Sequence, residues 1–307
     1  MQSGSGPQRV NGIKLFVHRF RDPEATPSGL TVLLVHGFLD AGGTWDVVAS
    51  ALARAGHEVI APDLRGFGQS DSIGPGGYYH FADYVADLAE LCDVLAPRRL
   101  AIVGHSMGGT ISGLLVGARP AIAERLALLE GMGPPATEAG VAVDRMRIWL
   151  RDMREAPRGP RVLTSMEEAV HRLALHHPRV PREVIESRAP LLTRADEQGR
   201  LIWAYDSLHR TTSPTPFNAE AFKAFLSKIT CPTLIVGGGP TGYHAEDEAA
   251  RIACIPGARV VEIPTAGHMM HWTAPDALTA HLLTFFAEPL PVKAPADTVA
   301  PTSKKQG

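Results

Sequence analysis

The sequence predicts an α/β protein with a mostly parallel eight-stranded sheet, helices on both faces and an inserted helical cap. Short apolar runs alternate with helical patterns, and each run ends in glycine or another turn signal. The runs are almost wholly apolar, as expected for strands that are buried on both faces of a parallel sheet. The cap is predicted because one long stretch of the chain shows proline-broken helical segments and no convincing strand.

The predicted strands and helices follow one another along most of the chain. An early antiparallel strand is expected first, and each later strand is expected to run parallel to its neighbours. The predicted strands are Lys14 to Phe20, Thr31 to Val35, Glu58 to Ala61, Leu100 to Val103, Leu126 to Leu129, Pro232 to Val236 and Arg259 to Ile263. Helices are predicted from about Thr44 to Ala55, from Phe81 to Leu95 and through Ile111 to Val116. The second of these has apolar residues at helical spacing along one face.

These elements divide the chain into a core, an insertion and a tail. The core is predicted over residues 10–132 and 226–288, with the cap over residues 133–225 between two strands. Residues 289–307 are rich in proline, alanine, lysine and threonine without hydrophobic period, so this tail is predicted to be disordered.

Composition excludes several classes of function. The chain has 307 residues and a formal net charge of −2, which creates no field that would attract a nucleic acid. No apolar run approaches the ~20 residues of a membrane span. The opening Met1 to Gly12 is polar and does not resemble a signal peptide, so a cytoplasmic location is expected. Cys92, Cys231 and Cys254 are too widely spaced for a disulfide framework or a zinc site, and each is predicted to be a small buried side chain.

A serine stands on a glycine-flanked turn between a predicted strand and a predicted helix. The segment reads Gly104-His105-Ser106-Met107-Gly108 and follows directly after the strand that ends at Val103. A G-x-S-x-G sequence in this strand-turn-helix setting holds the serine in a strained conformation that projects its hydroxyl above the sheet. Ser106 is therefore predicted to be a nucleophile.

With this motif in place, the chain resembles the α/β-hydrolase family from about Val10 to Glu288. His36-Gly37-Phe38 is similar to the family's oxyanion turn after the third strand. Asp63 to Ser70 is similar to its D-x-R-G-x-G-x-S loop, and Ala266-Gly267-His268 resembles its histidine loop. The resemblance implies a carboxylesterase- or lipase-like serine hydrolase.

A serine hydroxyl needs a base that titrates near neutral pH, and histidine is the side chain that does so. His268 is predicted to be that base, because it follows the last strand at the same sheet edge as Ser106. His105 and His36 are interpreted as groups that hydrogen-bond the backbone. His271 is expected either to line the pocket or to cap a helix.

The third member of the predicted set departs from the commonest family pattern. The family's acid usually lies three residues beyond the glycine after the strand Pro232 to Val236, where this chain has Pro240. Some members place the acid after the preceding strand instead, and Glu130 stands there. Glu130 is predicted to orient His268, because a carboxylate at the end of an apolar strand must find a partner. The alternatives are that Glu130 reaches solvent or caps a turn, with Glu246 and Asp247 as reserve acids.

The predicted reaction is acyl transfer from a small ester-like substrate to water, without a cofactor. The backbone N–H groups of Phe38 and Met107 are expected to stabilise the oxyanion. Fold and site are also compatible with carbon–carbon bond hydrolysis, perhydrolysis or a lyase reaction, and with a non-catalytic small-molecule binding protein. The natural substrate and the oligomeric state are left open.

Other signals receive weaker interpretations. Gly237, Gly239 and Gly242 match a dinucleotide motif, but Pro240 interrupts it and too little chain follows, so a flexible loop is the preferred interpretation. No metal is predicted, since the histidines at 171, 176 and 177 have no matching ligands and are expected at an exposed helix end. The substrate pocket is predicted to include Trp149, Met153, Trp203, Met269 and His271, although the aromatic residues of the insertion are equally compatible with a small core of its own.

Overall fold

The computed structural model describes residues 4–155 and 159–290. Its main sheet has eight strands in the order β1-β2-β4-β3-β5-β6-β9-β10. The strands are β1 (Gly6–Val10), β2 (Ile13–Phe20), β3 (Thr31–Val35), β4 (Glu58–Pro62), β5 (Leu100–His105), β6 (Arg125–Leu129), β9 (Thr233–Gly237) and β10 (Arg259–Glu262). Only the β1–β2 and β2–β4 pairs are antiparallel. The predicted fold class is confirmed.

The first strand is an element that sequence patterning missed. Its residues Gly6–Val10 alternate between partly buried and exposed, and only Val10 is fully buried. An edge strand of this kind has no continuous apolar run, so its pattern resembles that of a polar terminus.

Helices cover both faces of the sheet. They are α1 (Asp46–Arg54), α2 (Phe81–Leu95), α3 (Met107–Ala118), α4 (Ala142–Glu155), α5 (Met166–His176), α6 (Arg182–Arg188), α7 (Ala219–Leu226), α8 (Glu248–Ile252), α9 (Met270–Thr273) and α10 (Pro275–Ala287). Successive side chains of one strand point to opposite faces, so Leu33 packs with α2 and α3 while Val32 packs with α1 and α10. The apolar face predicted for α2 is the face that packs on the sheet.

The segment between β6 and β9 differs from the prediction in two respects. It contains a two-stranded antiparallel hairpin, β7 (Thr193–Ala195) and β8 (Leu201–Trp203), where no strand was expected. Strands of three residues are too short to show an alternating pattern. In addition, α7 places Phe222 and Leu226 in the main core, so this helix packs with the sheet although it was assigned to the insertion.

The remainder of this segment has its own apolar cluster. Leu173, Ile185 and Trp203 are buried together, and the cluster extends onto Met269 and Trp272 beside the end of the sheet. The inserted elements are thereby attached to the edge where the strands β3, β5, β6 and β9 end.

Three remaining expectations concern the cysteines, the membrane and the tail. Cys92 and Cys231 are buried as predicted, but Cys254 is partly exposed. Among the described residues, no helix has the length and apolar character needed to cross a membrane. The cytoplasmic location stays a prediction, and the predicted tail lies outside the described residues from position 291 onward.

Candidate active site

Ser106 occupies the turn between β5 and α3 in a backbone conformation that is rare for a residue with a side chain. Its φ is 53° and its ψ is −118°. The Ser106 N–H donates to the carbonyl oxygen of Leu129 at 2.9 Å, which ties the turn to the neighbouring strand. Gly108 is required here, because a Cβ at that position would lie 2.3 Å from the carbonyl oxygen of Val35. The strained turn leaves the hydroxyl at the carboxyl edge of the sheet.

His268 lies on the loop after β10 and reaches both of its predicted partners. Its Nε2 is 3.1 Å from the Ser106 Oγ, and its Nδ1 is 2.6 Å from the Glu130 Oε2. The imidazole side chain is one-third exposed, whereas the Glu130 side chain is fully buried. This arrangement fits a tautomer in which Nδ1–H donates to Glu130 and Nε2 accepts from the serine hydroxyl.

The glycine-rich loop after β9 surrounds the Glu130 carboxylate. The backbone N–H groups of Gly238 and Tyr243 donate to its two oxygens, each at 2.7 Å. A Cβ on Gly242 would lie 1.8 Å from Glu130 Oε1, so only glycine leaves room for the carboxylate there. This loop has Pro240 where the family usually has its acid, and its backbone instead surrounds the carboxylate of Glu130. The sequence showed the glycines but not what they enclose.

Glu130 is held as a carboxylate by these contacts. Burial by itself would raise the pKa of Glu130, but the hydrogen bonds with His268, Tyr243 and Gly238 outweigh it and the pKa is lowered. The reserve acids lie elsewhere. Asp247 pairs with Arg251 at 2.7 Å, and Glu246 forms no ion pair within the described part of the chain.

Two backbone N–H groups near Ser106, the predicted oxyanion donors, have no acceptor among the residues that the structure describes. Met107 is the first residue of α3, so its N–H has no acceptor within the helix. The N–H of Phe38, in the turn after β3, has no acceptor among the residues that the structure describes. The Phe38 side chain is half-exposed.

Two buried histidines, His36 and His105, join the loops of the site through backbone hydrogen bonds. His36 donates to the Gly37 carbonyl at 2.8 Å and accepts from the Leu64 N–H at 3.0 Å, while His105 Nε2 donates to the carbonyl of His268 at 2.7 Å. Burial lowers the pKa of His105 well below its ordinary value, and the nearby histidines act in the same direction. Both side chains hydrogen-bond the backbone, as predicted.

His271 does not line a pocket, contrary to one of the two expectations. Its side chain is fully buried and its Nε2 donates to Asp40 Oδ2 at 2.9 Å. The expectation was wrong because the short helix α9 turns this residue inward, under the loop of His268. Asp40, His105 and His271 are the one group in the described residues with donor atoms close enough for a metal ion; here His271 Nε2 donates to Asp40 and His105 Nε2 donates to the His268 carbonyl.

Three cavities lie at this edge of the sheet, and one of them contains the serine. One of about 300 Å³ contains the Ser106, His268 and Glu130 side chains, with Tyr243 among its walls. A second, of about 700 Å³, continues past Met107 and is lined mainly by aromatic and apolar residues, Phe38 among them. A third, of about 280 Å³, begins at Leu39. We refer to these as the nucleophile cavity, the large cavity and the basic cavity.

The predicted pocket residues are distributed unequally around these cavities. Trp203 lines the basic cavity and also belongs to the insertion's core. Trp149 contacts Tyr78 in the wall of the large cavity, with ring centroids 5.6 Å apart. Met269 is buried in the insertion's cluster, and Met153 is half-buried on α4. Phe81 and Tyr243 line the nucleophile cavity without having been predicted to do so.

Comparison with known proteins agrees with the fold. A family described as alpha/beta hydrolase fold matches residues 31–275. The chain belongs to this family, and the eight-stranded sheet described above is its fold.

Individual relatives support a hydrolase. A serine hydrolase-like protein of Danio rerio is 27% identical over 277 residues, which cover 85% of this chain and 82% of the relative. A thioesterase domain from the curacin biosynthetic pathway is 26% identical with a TM-score of 0.77, covering 91% of this chain and 98% of its own. A thermophilic esterase from Thermogutta terrifontis is 25% identical with a TM-score of 0.63, covering 93% and 98% respectively.

Proposed function

We propose that this protein is a serine hydrolase that cleaves a carboxylic ester, lactone or thioester through an acyl-enzyme on Ser106. The proposal depends on one observation. His268 lies 3.1 Å from the Ser106 Oγ and 2.6 Å from the Glu130 carboxylate, on opposite nitrogens of one ring. A base in contact with both a hydroxyl and a buried carboxylate is the arrangement that activates serine.

In the first half of the reaction, Ser106 Oγ forms a bond to the substrate carbonyl carbon while its proton passes to His268 Nε2. The N–H groups of Phe38 and Met107 donate to the developing oxyanion. Glu130 stabilises the imidazolium without taking its proton. Collapse of the tetrahedral intermediate breaks the bond to the leaving oxygen or sulfur, which receives the proton from His268.

In the second half, water replaces the leaving group. His268 takes a proton from the water as its oxygen attacks the acyl carbon, and the same oxyanion site is used again. The second intermediate breaks the bond to Ser106 Oγ, which regains its proton from His268. The products are a carboxylic acid and an alcohol or thiol.

Two findings support ester-like substrates over other bonds cleaved with the same side chains. The large cavity offers about 700 Å³ of mainly apolar space next to Met107, which suits an acyl chain. The structural relatives include proteins named as an esterase and a thioesterase.

Covalent labelling tests the nucleophile. A fluorophosphonate should modify Ser106, and Ser106→Ala should abolish labelling and reduce hydrolysis of a p-nitrophenyl ester by roughly 10³-fold or more. Ser187→Ala is the matched control, since that serine lies on α6 and bonds only a helix carbonyl. A label on another residue would disprove the nucleophile. Labelled Ser106 without turnover of any ester, lactone or thioester would disprove the bond type.

A further inference from the structure

The basic cavity collects positive charge in a chain that has a slight negative charge overall. The positive charge comes from Arg161, Arg172 and Arg210, while His176 and His177 also line the cavity and no acidic side chain does so among the residues that the structure describes. The formal net charge of the whole chain is −2, so this concentration does not reflect a generally basic surface. Like charges gathered around one cavity repel one another unless an anion lies among them.

Two of these arginines have no counter-charge. Arg172 is paired with Glu168 at 2.7 Å. By contrast, Arg161 and Arg210 have no carboxylate within 4.0 Å in the described ranges, and Arg210 Nη1 donates only to the Tyr205 hydroxyl at 3.3 Å. A guanidinium offers five donors in a planar fork that matches carboxylate and phosphate oxygens.

The basic cavity adjoins the candidate active site. Leu39 lines it and directly follows Phe38, which lines the large cavity. On its other side, His177 contacts Trp272 with ring centroids 5.3 Å apart, and Trp272 lies four residues after His268. Burial lowers the pKa of His177, and the charge of His268 contributes to this, as expected for neighbours.

We propose that Arg210 and Arg161 bind an anionic oxygen group, a carboxylate or a phosphate, on the leaving-group part of the substrate. This inference rests on the proposed ester or thioester hydrolysis. The acyl part then occupies the large cavity, which is mainly apolar. The substrate is therefore divided into an apolar acid and an anionic alcohol or thiol.

The leaving-group side follows from the direction of proton transfer. His268 Nε2 must protonate the leaving atom, so that atom and the group attached to it lie on the His268 side of the carbonyl. The basic cavity is lined by His177, whose ring contacts Trp272 on the short helix α9 that follows His268. The large cavity instead borders Phe38 and Met107, beside the expected position of the carbonyl oxygen.

Matched aryl esters test the proposal directly. Phenyl butyrate is compared with phenyl butyrates that carry a 3-carboxylate or a 3-phosphate on the ring. The wild type should hydrolyse at least one anionic ester with a kcat/KM at least tenfold above that of phenyl butyrate. The anionic ester with the higher kcat/KM shows whether the basic cavity prefers a planar carboxylate or a tetrahedral phosphate.

Substitutions of the two arginines test where the anionic group of the ester binds. Arg210→Gln and Arg161→Gln should each reduce kcat/KM for the anionic ester by roughly 10- to 100-fold, the range of one charge-assisted hydrogen bond, and change phenyl butyrate by less than about threefold. Arg54→Gln, an exposed arginine at the end of α1, is the control and should leave both unchanged. Arg145 lines the large cavity, so Arg145→Gln removes a guanidinium from that cavity. The variant should keep the preference of the wild type for the anionic ester over phenyl butyrate.

Binding to Ser106→Ala separates this inference from the proposed chemistry. Without turnover, calorimetry should show the anionic ester binding at least tenfold more tightly than phenyl butyrate, with the difference abolished by adding Arg210→Gln. Retained selective binding together with failed labelling of Ser106 would leave the anion site standing and reject the hydrolase proposal. Equal losses on neutral and anionic esters, no preference in the wild type, or loss of the preference in Arg145→Gln would overturn the anion site.

Discussion

At the scale of single residues, Ser106 and Glu130 share a strained backbone. Both have positive φ, 53° and 47°, although neither is glycine. Such conformations cost roughly 1–3 kcal/mol each and persist only where surrounding bonds enforce them. Here the Ser106 N–H donates to Leu129 and the Glu130 N–H donates to Val236, so each strained residue is fastened to the next strand of the sheet. The proposed nucleophile and the proposed acid are therefore held by the ends of neighbouring strands of the sheet.

Glu130 provides the sharpest residue-scale test of the candidate site. Glu130→Gln keeps the side-chain shape but removes the charge that stabilises the imidazolium, so kcat for ester hydrolysis should fall by roughly 10²- to 10⁴-fold. Circular dichroism should show an unchanged fold. Glu246→Gln is the control, and its rate should stay within a few-fold of wild type. Comparable rate losses in the two variants would show that Glu130 has no special role.

At the scale of elements, a buried hydrogen-bonded pair, Asp40 and His271, connects two loops that are far apart in sequence. Asp40, in the loop after β3, accepts hydrogen bonds from the Thr44 hydroxyl at 2.7 Å and from His271 Nε2 at 2.9 Å. The first loop carries Phe38 and the second carries His268. This pair holds the proposed oxyanion turn against the proposed base.

Asp40 makes the stability of this connection depend on pH. Burial by itself would raise the pKa of Asp40, but the hydrogen bond and charge of His271 outweigh it and the pKa is lowered. A carboxyl with a lowered folded-state pKa contributes stability above its unfolded pKa of about 4 and loses it as the pH falls further. Asp40→Asn should therefore be less stable than wild type by roughly 1–3 kcal/mol at pH 7, with the difference narrowing at pH 3.

Denaturant unfolding at both pH values measures this effect. Glu183→Gln, an exposed residue of α6 without an ion pair in the described chain, is the control and should show no difference at either pH. A stability difference for Asp40→Asn that stays constant from pH 7 to pH 3 would contradict the assigned ionisation.

At the scale of the whole molecule, the described residues form three apolar clusters, two on the sheet and one in the insertion. The main cores lie on the two sheet faces, and the insertion's cluster packs on Met269 and Trp272 beside the candidate site. The inserted elements supply walls of the large and basic cavities. We propose that they act as a cap that determines substrate choice.

Substitutions of two tryptophans in the insertion distinguish a role in substrate choice from a role in stability. Trp149→Ala should change the ratio of kcat/KM between long and short acyl esters by roughly tenfold with little change in Tm, because its ring packs on Tyr78 at the large cavity. Trp203→Ala should instead lower the free energy of unfolding by roughly 3–5 kcal/mol, because its ring is 7% exposed within the insertion's core. If Trp149→Ala slows all esters equally and lowers Tm, its role is structural.

Local patterns in the sequence were sufficient to predict the central strands of the sheet and two residues of the candidate site. The apolar runs identified the central strands, and the glycine-flanked turn after β5 located Ser106. The Gly267-His268 pair after β10 located the imidazole in the same way. These features depend on residue spacing within a few positions, and strand ends of one parallel sheet necessarily share an edge.

The partners of these residues were decided only by tertiary structure. The prediction of Glu130 relied on family resemblance, and nothing local indicated that Gly238, Gly242 and Tyr243 would enclose it from more than a hundred positions away. Likewise, His271 pairs with Asp40 across 231 positions, where the sequence left its role open. A buried charge can be paired by any segment that the fold brings to it, so its partner is not encoded in the residues beside it.

The edge strand β1 and the short hairpin of the insertion were not predicted, for a related reason. Their residues form strands because a neighbouring strand pairs with them, and not because of a hydrophobic pattern of their own.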